Sequence, residues 1–484
     1  MSVSPFSKMP SMLLRESFNY LSGEEIVLNA QRVHTSWRKL WPNRFLILNS
    51  EHLQTADLER IVKECKKLFY LSITIYSPNL DLTEIKALSL QELHVIWDFH
   101  NQPRLKNKHI SFLSGPSITF LSITNIHFLE NSFALIELPH IKKLKLDYCT
   151  LPNGSIESLT RFPKLRMLSI SRCNILAKDI QKLALLKLTE IYLADSRFGE
   201  EMSSCLKKLP LKTLDFSFST ISAPFCKEIA DLPLETLSLE SCPNITDQGI
   251  HHLARLPLKT FCISRNENIT DKSVESLCTI KSLTQLNLSL NAKITDRSLK
   301  LILSQLPQLQ VLNFRNMKMT SQSFHTISQH THLTALNLSD AGIMDKNLES
   351  LFSRIPHLQT LHLGGTNIEG RSLRTIGQLS HLTRLDLSCT SITNKDLTHL
   401  IPLPRLQTLI VFGAEKITDD GVKELVKSLS LRVVDLRACG ISKKSIRALE
   451  KVRIRYIVNM HDLPESPFSA HLDDAAPPSM CSIL

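Results

Sequence analysis

One phrase recurs along most of this chain, and the recurrence limits the folds open to it more than any other feature. It is fullest between Leu234 and Pro257, reading LETLSLESCPNITDQGIHHLARLP. Copies begin at Leu or Ile in positions 141, 165, 188, 211, 234, 258, 283, 309, 333, 358, 382, 406, 431 and 454. The mean spacing is about 24 residues, a period at which each repeat is one supersecondary unit. Each copy opens with an apolar–polar alternation such as Leu237-Ser238-Leu239. In a strand this buries one face and exposes the other. A turn follows, then a helical stretch such as Asp247 to Leu256. One such unit cannot bury its own apolar face, so neighbours must stack into a solenoid. The expected fold class is α/β, a curved parallel β-sheet with helices outside. Such a stack is first a binding surface, so function is expected on its concave face or in the two ends of the chain.

Composition narrows the class. The chain has 484 residues, 43% hydrophobic and 21% charged, which suits a globular array with a large core. Its 11 cysteines form no Cys-x-x-Cys pair and no spacing typical of zinc, so no metal site is expected. Cys149, Cys173, Cys242, Cys439 and, one place early, Cys389 fall at the turn after the strand. There a small residue packs beneath the backbone; Asn266, Asn291, Thr366 and Thr390 take that place in other copies. Dispersed thiols of this kind point to a reducing compartment. No signal-peptide pattern and no 18-residue apolar run occurs, so a cytoplasmic protein is expected.

The net charge of +11 is unevenly placed. Leu431 to Met460 holds eight Lys/Arg against two acids, whereas His461 to Leu484 holds four acids and no Lys/Arg. A basic patch can draw nucleic acid or anionic lipid. No aromatic–basic interleaving accompanies it, and no nucleic-acid partner is expected. Residues 1–8 read as an N-terminal tail and 9–41 as two or three short amphipathic helices, with Leu13, Leu14, Phe18 and Leu21 on one face. Ile26, Val27, Ala30, Val33 and Trp37 give a second face. Residues 42–140 carry looser copies, 141–460 regular ones, and 461–484 a proline-rich flexible tail.

The repeat phrase resembles a leucine-rich repeat, and its Cys-Pro-Asn-Ile-Thr-Asp segment resembles the cysteine-containing subtype. Echoes stand at Ile269-Thr270-Asp271, Ile294-Thr295-Asp296 and Ile417-Thr418-Asp419. The opening segment resembles an F-box: Met9-Pro10, Leu13-Leu14, Glu16 and Tyr20-Leu21, then Val33 and Trp37 four residues apart. Met9 stands where that family has leucine, and the stretch from Leu21 to Val33 is one residue longer. This resemblance implies a substrate-recognition subunit of an SCF-type cullin ubiquitin ligase. Pro10, Leu13, Leu14, Phe18, Tyr20, Leu21, Val33 and Trp37 would then dock a Skp-family adaptor, and the repeats would hold a protein substrate. The last four residues, Cys481-Ser482-Ile483-Leu484, match a CaaX box whose terminal Leu favours geranylgeranyl. Cys481 would be the prenyltransferase's target, placing the protein at the cytosolic face of membranes.

No Gly-x-Ser-x-Gly, His-Glu-x-x-His, phosphate-binding loop or dinucleotide fingerprint is present, so neither catalysis nor a cofactor is expected. Strand alternation puts the third, fifth and seventh residues of each copy outward. The fifth runs Lys145, Ser169, Tyr192, Asp215, Ser238, Cys262, Asn287, Asn313, Asn337, His362, Asp386, Ile410, Asp435. The side chains large enough to anchor a target are Tyr192, Phe218, Arg315, Arg384, Phe412 and Arg437. Two other readings fit the same pattern: a scaffold or inhibitor with a helical cap and no ubiquitin link, and a GTPase-activating repeat protein.

Overall fold

The computed structural model describes residues 27–29, 45–49, 59, 62–63, 68–76, 80, 82–98, 110–130, 132–175, 179, 181–195, 202–317, 320, 332–343, 348, 351–352, 355–452 and 454–457. They fall into two compact units, divided between Leu214 and Asp215. In the first, parallel strands follow in chain order: Val27–Asn29, Phe45–Asn49, Tyr70–Ile75, Glu92–Trp97, Phe120–Thr124, Lys143–Asp147, Met167–Ser171 and Glu190–Tyr192. Short 3-10 turns return the chain between several of them, as at Thr83–Ala87, Ser132–Leu135 and Gln181–Leu185. The second unit repeats the pattern with three-residue strands from Thr236–Ser238 to Arg455–Ile457, each parallel to the next. Its returns are mostly true helices, such as Asp247–Leu253, Asp271–Leu277 and Asp296–Gln305.

The strand Val27–Asn29 corrects the expectation of a helical face through Val27. It pairs parallel with Phe45–Asn49, Asn29 opposite Asn49. The segments Val27-Leu28-Asn29 and Ile47-Leu48-Asn49 share one pattern. An open strand edge gains more from a paired backbone than from an isolated helical turn.

Within each copy the apolar places all turn inward: Leu234, Leu237, Leu239, Ile245, Ile250 and Leu253 are fully buried. The residue after the strand turns the chain and takes a left-handed conformation. Twelve described non-glycine residues have positive φ, among them Tyr148, Arg172, Phe218, Arg265, Leu290 and Cys389. Such a conformation costs an L-residue on the order of 1–2 kcal/mol. A lateral backbone bond offsets it: the N–H groups of Tyr148, Phe218, Ser241 and Arg265 donate to the next copy's carbonyls at 2.7–3.1 Å.

Beneath that turn lies the cysteine or asparagine. Cys242 N–H donates to Asn266 Oδ1 at 2.8 Å, and Asn266 N–H to Asn291 Oδ1 at 2.7 Å. Asn266 Nδ2 donates to the carbonyls of Leu239, Ile263 and Ser264, and the Cys242 and Cys439 thiols to those of Phe216 and Val411. A thiol has one hydrogen to give these carbonyls and an amide two, and both point the same way, so the two types alternate without breaking the stack. Cys389 departs from the expected role. It occupies the left-handed turn itself and is exposed, because its copy places Thr390 beneath the backbone, donating to Leu387 O at 2.6 Å.

The Thr-Asp pair of the phrase joins consecutive copies on the helix side. Asp271 accepts from Thr295 N and Thr295 Oγ1 at 2.8 and 2.6 Å, and from Ser298 Oγ. Asp247 does the same to Thr270 and Ser273, and Asp419 to Ser442 and Ser445. Each aspartate thus pins the next helix at its start. The bonds they accept hold these three carboxyls below the ordinary aspartate range, although partial burial acts the other way.

Candidate protein-binding face

The fifth-position side chains are not the solvated row that strand alternation implies. Ser169, Asp215, Ser238, Cys262, Asn287, Asn313, Asn337, His362 and Asp435 are buried, while Lys145, Tyr192, Asp386 and Ile410 are half-buried. Parallel strands lie about 4.8 Å apart, so each short side chain has a neighbour close on either side. Polar ones bond their own backbone. Asn287 Oδ1 accepts from Ser289 N at 3.0 Å, Asn313 Oδ1 from Arg315 N at 3.0 Å, and Asn337 Oδ1 from Ser339 N at 2.9 Å. This row is a hydrogen-bonded floor. The large side chains that reach solvent stand mainly at the third, seventh and eighth places, around it.

Of the six expected contact residues, Tyr192 belongs to the first unit. It is half-buried, its hydroxyl donating to Glu190 Oε2 at 3.3 Å. In the second unit Phe218 is 41% exposed on its left-handed turn, and Phe412 is 39% exposed. Arg437 lies with its guanidinium 5.4 Å from the Phe412 ring centroid while bonding Asp435 through Nε and NH2. Phe412 and Arg437, two of the six, thus come together. Arg315 is exposed and bonds Asp340 at 3.0 Å; Arg384 is exposed.

Sequence reasoning missed a cluster in the first unit. Tyr148 is 48% exposed, and the Arg172 guanidinium lies 4.7 Å above its ring. Arg172 Nε donates to Asp195 Oδ2 at 3.0 Å, and its NH1 is 4.0 Å from Asp147 Oδ1. Tyr148, Arg172 and Asp195 all occupy the left-handed turn, so one residue per copy builds a column. The signal was the eighth place of the repeat, outside the alternation used to choose candidates. Nearby, His94 lies between the rings of Tyr70 and Phe120, at 4.8 and 4.9 Å. Burial, helped by the charge of Lys145, pushes His94 down to about 4, so it is neutral at ordinary pH. Burial also lowers Lys145 and raises Asp147.

The expected adaptor contacts Pro10, Leu13, Leu14, Phe18, Tyr20, Leu21, Val33 and Trp37, and the expected lipidation site Cys481, lie outside the described residues.

Residues 356–414 match one leucine-rich-repeat family model, and residues 279–303 and 329–352 match a second. The copies within these segments are leucine-rich repeats. Similar solved structures include an internalin, InlF, from Listeria monocytogenes, at 18% identity over 74% of this chain and 88% of that one, TM-score 0.42. The yeast Rad7–Elc1 complex matches at 21% identity over 54% of this chain and 71% of that one, TM-score 0.44. A TLR13–ssRNA13 complex matches at 17% identity over 86% and 67%, TM-score 0.42. No curated protein matches the chain. A leucine-rich-repeat stack of this kind is a protein-interaction scaffold.

Proposed function

We propose that this protein is the substrate-recognition subunit of an SCF-type cullin ubiquitin ligase, holding a protein target on the face of the second unit that carries Phe218, Phe412 and Arg437. The target-binding half of that reading is carried by the exposed aromatics on a backbone that resists holding them. Phe218 in the second unit and Tyr148 in the first sit in a left-handed conformation that disfavours bulky side chains, yet they remain 41% and 48% exposed. Such paired aromatic and guanidinium groups are the usual anchors of an interface. The ubiquitin half is supported by the resemblance of residues 9–41 to an F-box next to cysteine-containing repeats. In this role the protein performs no covalent catalysis and acts by positioning its target. Geranylgeranyl on Cys481 would hold it at the cytosolic face of a membrane, with a weak second contact from the basic stretch after Leu431.

One observation favours the alternative of a scaffold without a ubiquitin link: Val27–Asn29 lies in the sheet, inside the stretch where an F-box would continue helical. Co-expression of the full chain with a Skp-family adaptor separates the two. A stable complex, lost when Leu13 and Leu14 are both replaced by Ala, is expected. No complex, or one indifferent to the double substitution, leaves the scaffold reading. Cys481→Ser should release the protein from membranes, and an unmodified C-terminal peptide in intact-mass analysis would refute prenylation.

A further inference from the structure

Three copies carry aspartate at the fifth position: Asp215, Asp386 and Asp435. Each uses Oδ1 as the asparagines do, accepting from the N–H two residues on: Ser217 at 2.8 Å, Ser388 at 2.9 Å and Arg437 at 3.1 Å. An amide does this without burying a charge, as Asn287, Asn313 and Asn337 demonstrate. The reason for a carboxylate must therefore lie in its second oxygen. In Asp386 that oxygen stands 3.2 Å from His362 Nδ1, and in Asp435 it accepts from Arg437 NH2 at 2.8 Å. In Asp215, only 1% exposed, Oδ2 is buried and has no hydrogen-bond partner. The Ser217 hydroxyl donates to Asp215 Oδ1 at 2.5 Å, and its oxygen lies 2.8 Å from Ser238 Oγ. Two residues past Ser238 stands a second carboxylate, the half-buried Glu240. Burial raises both acids, Asp215 to about 6; the Glu240 charge adds to the cost of Asp215, while Arg265 and a hydrogen bond with Ser264 ease Glu240 in part.

We infer that Asp215 and Glu240 receive an arginine or lysine side chain from the protein bound on this face. The inference rests on the protein-binding reading above and names the chemistry of one contact in it. The two fifth-position aspartates that are complete within the chain are completed by an imidazole and a guanidinium, both nitrogen donors able to carry positive charge. A ring is available as well. Phe218, three residues after Asp215, is exposed as Phe412 is, and Phe412 already carries a guanidinium 5.4 Å from its centroid. Glu240 and Phe218 are the accessible members. An incoming cation meets them first and reaches the Asp215 floor as they rotate aside.

The test is selection of a phage-displayed random dodecamer library on the full chain, with Asp215→Asn and Glu240→Gln as comparison targets. Asn at 215 retains the Oδ1 bond to Ser217 N, as at 287, 313 and 337, so the copy keeps its turn; Glu240→Gln changes a residue that is not part of that turn. Peptides enriched in Arg or Lys are expected on the parent. The best of them should bind Asp215→Asn about tenfold or more weakly and Glu240→Gln less weakened, as expected when one partner of a buried charge pair is neutralised. Selected peptides free of basic residues, or basic peptides that bind both variants as tightly as the parent, overturn the inference and leave the protein-binding reading standing. Recovery of no binding peptide overturns both.

Discussion

Replacing Asp271 tests the device that joins one copy to the next. Its carboxylate accepts three bonds from the following copy: the Thr295 N–H and hydroxyl and the Ser298 hydroxyl. Asp271→Ala removes all three and leaves the Thr295 amide to water. Bonds to a charged acceptor contribute about 1.5–3 kcal/mol each when well shielded, and loss of a helix-start acceptor about 0.5–2 kcal/mol. The site is largely open to solvent, so the lower values apply, and a net local cost of about 1–2 kcal/mol is expected. An internal control exists. Asn394 fills the same place in another copy, accepting from Thr418 N at 2.9 Å and donating to Thr418 Oγ1 at 2.7 Å. Asp271→Asn should therefore cost well under the alanine change. A stacked array does not melt as one two-state unit, so the readout is amide hydrogen exchange across Thr295 and the helix Asp296–Gln305. Exchange there should speed about 5- to 30-fold in Asp271→Ala, by the relation of tenfold per 1.4 kcal/mol. Acid adds a second reading. The folded carboxyl is held below its ordinary value of 3.8, so its stabilisation is present above that value and is lost as pH falls through the lower folded one. Parent protein should lose protection in that window, while Asp271→Asn should lose less. Equal effects of Ala and Asn, or an alanine variant indistinguishable from the parent, would refute the role assigned to the Thr-Asp pair.

Among the eight thiols described as free, Cys389 alone is exposed, so it should be the first of these labelled by iodoacetamide in peptide mapping of the native protein. Cys205, Cys226 and Cys242, pushed by burial up to about 11, 12 and 12, should stay unlabelled until the array unfolds. Phe412→Ala should change the denaturant midpoint little, since the ring is exposed, yet should weaken binding of selected peptides or of a target; Arg437→Ala should weaken binding too but also lower the midpoint, because it leaves the buried Asp435 carboxylate without its partner, and a large loss of stability from Phe412→Ala would reassign the ring to the scaffold. Deleting one whole copy, Leu333 to His357, should preserve circular dichroism better than deleting half of it, because a half copy breaks the register between neighbours. Equal damage would contradict a regular stack. Leu286→Ala, at a fully buried place, should cost about 2–5 kcal/mol in urea denaturation and spread to the adjoining copies.

The repeat was legible because it is periodic in the residues that carry the most free energy. Leu at the first, fourth and sixth places has no alternative to burial, so strand positions and stacking order follow from spacing. Asn, Cys and Thr beneath the turn were likewise legible as one structural place, since each must bond a carbonyl there. Cys389 escaped because a shift of one residue moves a side chain from beneath the backbone to the exposed turn. Val27–Asn29 escaped because three residues have no periodicity of their own, and only the neighbouring strand edge makes them a strand.

For the binding face the division is sharper. Alternation determined which side chains point away from the core. It could not determine which of them reach water, because that depends on strands about 4.8 Å apart crowding their neighbours. The tertiary structure turned the fifth place into a bonded floor and left exposed the left-handed turn, where Tyr148 and Arg172 stand in the first unit and Phe218 in the second. It also decided which aspartate lacks a partner. Asp215, Asp386 and Asp435 occupy the same repeat position, and what separates them is the hydrogen-bond partner that the stack gives their second oxygen: a histidine one strand back for Asp386, the copy's own arginine for Asp435, and none for Asp215.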